Sequence, residues 1–147
     1  MKAILFSALL LAATPPADAV RAQVRKTMDA FAAMDAATFK AGLAQSVTAY
    51  EADLENKPVR LGSRDEAMTF AEGVFAQMKK MGGKMSIDYH TVQCDTAPTL
   101  AWCTVEFDYK AAMGDGRAMS QPTRNTIVLQ KEGGAWKWVH WHSSAAK

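Results

Sequence analysis

Little charge of either sign is left over in this chain. It has 17 lysines and arginines against 15 aspartates and glutamates in 147 residues, a formal net charge of +2. A nucleic-acid surface needs a basic stripe. The one lysine cluster, Lys79, Lys80 and Lys84, falls at a helix end, where cations complement the macrodipole. A nucleic-acid partner is therefore not expected. Past residue 13 no apolar run is long enough to span a bilayer, so no membrane association is expected once the N-terminal segment is removed. No serine sits in a G-x-S-x-G elbow and no glycine-rich phosphate loop occurs; Gly114 and Gly116 flank an aspartate and read as a turn. No cofactor is indicated. Histidine is scarce, with three residues, and cysteine scarcer, with two.

What is present begins with a processing segment. Lys2 supplies a positive start, Ala3 to Ala13 an apolar run, and Ala17 and Ala19 the small residues of an A-x-A site. Pro15 and Pro16 would break an ordinary first helix. The expectation is a signal peptide over 1–19, cleaved before Val20, and an exported domain over 20–147 in the periplasm or outside the cell. In an oxidising compartment Cys94 and Cys103 are a candidate disulfide. They flank TAPTLAW, which reads as a hairpin connection, and facing cysteines on paired strands can bridge. Two free thiols are the alternative.

The remainder divides into a helical half and a strand half. Val24, Met28, Phe31 and Met34 recur at helical spacing over Val20 to Met34. Asp35 caps a second short helix carrying Phe39 and Leu43. Ser46 to Leu54 alternates as a strand, and ENKPVRLG reads as a loop. Ser63 to Glu66 is a capping box that opens a third helix, ended by Gly82 and Gly83. Four strands follow, Met85 to Cys94, Leu100 to Ala111, Thr123 to Lys131 and Ala135 to Ser144, joined by short turns as an antiparallel meander. Helices first and strands after predict an α+β domain with helices on one face of the sheet.

Three stretches resemble the nuclear transport factor 2-like superfamily, and within it the SnoaL-like branch that includes the association domain of calcium/calmodulin-dependent protein kinase II. SVTAYEAD resembles a first short strand with an aromatic followed by Glu. Arg124 to Trp136 resembles an Arg-led strand, an acidic-Gly turn and a Trp. WKWVHWHSS resembles a closing W-K-I-V-H-x-H-x-S, with Trp138 where an aliphatic is usual. The EGGA turn carries an extra residue. The resemblance implies a cone-shaped fold, with N-terminal helices packed in the concave face of a curved antiparallel sheet. It also implies a homodimer.

The turns propose a register. With EGGA closing the last hairpin, Lys131 lies opposite Trp136, Val128 opposite Val139, Thr126 opposite Trp141 and Arg124 opposite Ser143. A turn near Asp115 places Glu106 opposite Arg124. Alternation then groups Trp136, Trp138, His140 and His142 on one face, away from Trp141 and Ser143. The resemblance implies that pocket arginines of association domains occupy the positions of Thr104, Arg124 and Ser143, of which this chain keeps one. The expected pocket is Tyr50, Trp102, Thr104, Glu106, Arg124, Trp141 and Ser143. Arg124 either forks onto an anionic ligand or forms a structural pair with Glu106.

The H-x-H of His140 and His142 has metal-binding spacing but no evident third ligand, so no metal is expected. The pair is assigned to packing or assembly beside Trp136 and Trp138. The resemblance admits isomerase, cyclase, dehydratase and hydrolase chemistry, which needs a tuned acid or base beside a donor. Glu106 with Tyr50 would suit that, except that an adjacent Arg124 lowers the basicity of Glu106. Three functions follow: an exported pocket for a small polar or anionic molecule, a SnoaL-like enzyme acting on a small organic substrate, or a non-catalytic assembly module.

Overall fold

A computed structural model describes residues 16–52 and 57–146. Helix α1 is Ala17–Ala32, α2 is Ala36–Gly42 and α3 is Arg64–Lys80; the strands are β1 Leu43–Ala52, β2 Pro58–Leu61, β3 Lys84–Thr96, β4 Leu100–Ala112, β5 Ala118–Glu132 and β6 Ala135–Ala145. Most of the expected signal peptide lies outside the described residues. Its last residues, Ala17 to Ala19, form the first turn of α1. Leu43 opens β1 instead of extending the second helix, and part of the expected loop after β1 is the short strand β2. Leu54 lies outside the described residues.

Local chemistry sets the element ends. Asp35 accepts a hydrogen bond from the Thr38 N–H at 3.0 Å and caps α2. The Ser63 hydroxyl accepts from Glu66 N–H at 3.2 Å, while Glu66 reaches back to the Gly62 N–H at 2.8 Å, one residue further out than a standard capping box. Gly133 and Gly134 both have positive φ, 56° and 83°, the requirement of a type I′ hairpin turn.

The strands form one six-stranded sheet in the order β2-β1-β6-β5-β4-β3. All neighbours are antiparallel except β1 and β6, which run parallel. The expected all-antiparallel sheet is thus a mixed one. The parallel pair arises because β1 precedes α3 in the chain and returns to the sheet beside its last strand. Helix α1 lies over β3 and α3 over β1. The three helices therefore cover one face, here the inner face.

Leu43, Val47, Val105, Ile127 and Leu129 are fully buried there with Val20 and Val24 of α1. Each such side chain contributes about 1.5–3 kcal/mol on leaving water. Gly42 makes the α1–α2 contact: a Cβ there would lie 2.3 Å from the Thr27 hydroxyl oxygen, which is itself buried.

Candidate functional site at the end of the inner face

The last hairpin begins in the expected register, Lys131 opposite Trp136. It then slips by one. Leu129 pairs with Trp138 but Val128 pairs with His140, so Val139 is an extra residue in β6. Beyond this bulge Thr126 faces His142, Asn125 faces Ser143 and Arg124 faces Ser144.

A one-residue slip exchanges the two faces of a strand. Trp136 and Trp138, before the slip, point inward, 8% and 3% exposed, and the slip puts His140 and His142 on the opposite face. Past the bulge Trp141 takes the inner side, where its ring stands edge-on to Phe39 at 6.4 Å.

Glu106 does lie opposite Arg124, and Arg124 donates from Nε and Nη2 to Glu106 Oε1 at 3.1 and 3.0 Å. Both side chains stand about half exposed. Their strand neighbours Val105, Phe107 and Asn125 are the buried ones. Trp102, Thr104, Glu106 and Arg124 consequently share the outer face, opposite the inner polar groups.

Tyr50 is also on the outer side, 49% exposed. Its ring meets His140 and His142 edge-on at 6.1 and 6.2 Å. The seven expected pocket residues thus divide, with only Trp141 and Ser143 inside. His140 is held through Nδ1 by the Thr48 hydroxyl at 2.9 Å. Cys94 and Cys103 are register partners joined by a disulfide.

The inner face instead brings together a group whose centre the register argument did not select. Val47 and Ala49 of β1 are buried, and alternation carries Glu51 to the same side. Trp141 Nε1–H donates to Glu51 Oε2 at 2.9 Å, and the Ser143 hydroxyl donates to the same oxygen at 2.8 Å. Burial raises the Glu51 pKa above its usual 4.5, while these two bonds pull it back. Tyr109 lies close enough to feel the carboxylate. Its pKa is pushed up to about 12, first by burial and then by the Glu51 charge, so its hydroxyl keeps its proton at neutral pH.

Asn125, 6% exposed, faces inward opposite Ser143. A shallow depression opens at this end of the sheet, lined among others by Tyr50, Glu51, Arg60, His142 and Ser143. The signal for Glu51 was present in SVTAYEAD, a carboxylate in phase with Val47 and Ala49. Tyr109 and Asn125 carried the same alternation signal without anything local to mark them as a set. A carboxyl with a raised pKa, fixed by two donors and near a neutral phenol, has the parts of an acid–base site.

Solved structures share this architecture. An NTF2-like protein of unknown function from Pseudomonas putida KT2440 is 20% identical over 91% of this chain and 90% of its own, with a TM-score of 0.73. A candidate dehydratase of the NTF2-like family from Streptomyces avermitilis is 14% identical over 89% and 97%, at 0.73. The CaMKII hub of S. rosetta is 22% identical over 90% and 98%, at 0.71. No curated protein matches the chain. The SnoaL-like domain family matches residues 20–147, the helices and the whole sheet that carries Glu51, and the chain belongs to that family.

Proposed function

We propose that this chain is an exported domain that binds a small organic molecule beside Glu51 and exchanges a proton with it, in the manner of an isomerase or dehydratase. The observation that carries this reading is the Glu51 carboxyl, partly buried with a raised pKa and aimed by Trp141 and Ser143. A carboxyl whose pKa moves toward neutrality is a better general base than an exposed one. Arg124 is engaged with Glu106 on the outer face and does not depress it. Tyr109 adds a neutral phenol in the same region, its proton turned toward Met85 Sδ. The dehydratase relative favours this reaction class. Export is supported by the N-terminal Lys2, the apolar run and Ala17/Ala19, and a disulfide suits an oxidising compartment.

The test is hydrogen–deuterium exchange at the α-carbon of small enolisable ketones in heavy water. Wild type is expected to accelerate exchange and Glu51→Gln to lose at least tenfold of it. Equal rates for the two proteins, or no acceleration by either, would remove the acid–base reading.

A second, compatible reading is assembly as a homodimer. Trp102, 46% exposed, is opposite Val128, and Val128 is opposite His140, so these three form a row across the outer face. The hub relative supports it. Sedimentation of wild type and Trp102→Glu checks it, with a dimer expected only for wild type.

A further inference from the structure

The geometry points to a neutral hydroxy compound, an alcohol or phenol, as the ligand class, with Asn125 accepting a hydrogen bond from its hydroxyl; the inference rests on Glu51 marking the site. Asn125 projects from β5 on the inner side, between Val105 on one neighbouring strand and Ser143 on the other. It is one of two buried polar or charged residues in the described core, the other being Thr27. Thr27 has its own partners in Gln23. Asn125 Oδ1, by contrast, is buried with no partner among the described residues. A buried carbonyl left without a donor is destabilising, and its persistence calls for an explanation.

Three donors on the inner side are already committed. Ser143, its register partner, has a single hydroxyl proton, which goes to Glu51 Oε2 at 2.8 Å. The Trp141 N–H goes to the same oxygen. The Tyr109 hydroxyl is directed at Met85 Sδ. What remains open on the inner side is one acceptor, Asn125 Oδ1, and one donor, Trp138 Nε1–H, both buried without a partner among the described residues, together with Glu51 Oε1, which receives a long 3.3 Å contact from the Ala52 N–H. The cation expected to bind an acid, Arg124, points to the outer face.

A carboxylate ligand would bring no donor for Asn125 Oδ1 and would set a second carboxylate near Glu51. An ammonium would have to give up its hydration in surroundings that already disfavour the charged form of Glu51. A hydroxyl donates one hydrogen bond, to Asn125 Oδ1, and its oxygen can accept one in turn, at no such cost.

Benzyl alcohol, benzoate and benzylamine form a matched probe set for ligand-observed NMR titration at pH 7. Benzyl alcohol should bind at least fivefold more tightly than the other two. Asn125→Leu, close in volume but without the amide, should weaken benzyl alcohol at least fivefold while leaving Tm unchanged or higher. A merely structural amide would instead lower Tm on replacement. The proposal is overturned by benzoate or benzylamine binding as well as the alcohol, by no probe binding, by wild-type alcohol affinity in Asn125→Leu, or by a lowered Tm in that variant. If Asn125→Leu does not fold, the amide is structural and the proposal also falls. Loss of the alcohol preference with α-proton exchange still dependent on Glu51 removes this inference alone. Loss of that dependence removes the reading on which it rests.

Discussion

Trp141 Nε1–H donates to Glu51 Oε2 at 2.9 Å, across the parallel junction of β6 and β1. The bond ties the last of the three tryptophans of the closing strand to the one inner carboxylate of the first. Trp141→Phe keeps the ring against Phe39 and removes the donor. Glu51 then loses one of the two bonds that favour its ionised form, so its pKa moves further up. The variant should lose roughly 1.5–3 kcal/mol at pH 8 and less at pH 5. Denaturant titration at both pH values checks this, and an equal loss at both would assign Trp141 to packing alone.

Glu51 also makes stability depend on pH. Its folded pKa lies above the usual 4.5, chiefly through burial. The folded chain therefore holds this proton in a range where the unfolded chain has released it. The contribution is fully present below about pH 4.5 and is lost as pH rises through the folded pKa. Glu51→Gln keeps a carbonyl acceptor for Trp141 and Ser143 and never ionises. Its Tm should gain on that of wild type as pH rises from 4.5 to 8. A gap that stays constant, or closes, over that range would contradict the assignment.

The disulfide joins Cys94 and Cys103 across β3 and β4, nine residues apart. Closing a loop of that length removes unfolded-state freedom worth about 2–3 kcal/mol. Reduction, or Cys94→Ala with Cys103→Ala, should lower stability by about that amount. Oxidised protein should show no reactive thiol on denaturation. Two titratable thiols would exclude the bridge.

Glu106 and Arg124 hold each other on the exposed outer face. A double-mutant cycle with Glu106→Ala and Arg124→Ala should give a coupling of only about 0.2–1 kcal/mol. Arg124→Ala should also leave benzyl alcohol binding unchanged. A coupling of several kcal/mol, or loss of binding, would return Arg124 to the ligand site.

Most of the fold was legible because its signals are local. The spacing of Val24, Met28 and Phe31 specified α1, Ser63 and Glu66 marked the start of α3, and Gly133-Gly134 set the last turn. Cys94 and Cys103 fell opposite each other because the hairpin between them is short. The motifs of β1, β5 and β6 were enough to indicate the family.

The site was not legible in the same way. Alternation assigns faces only while the pairing stays in step, and Val139 carries no glycine or proline to announce that β6 gains a residue there. That single insertion puts Trp141 and Ser143 on the same inner face as Trp136 and Trp138, while Arg124 and Glu106, whose own pairing has no shift, lie on the other side of the sheet. The pairing of β1 with β6 joins segments 90 residues apart in the Glu51–Trp141 bond. Such a contact forms only when the whole sheet assembles, because no local preference brings those strands together. The amino-acid sequence by itself indicated most of the elements, the turns, the candidate disulfide pair and the family. The tertiary structure decided which carboxylate faces inward, because facing and hydrogen-bond partners depend on strand register and strand order.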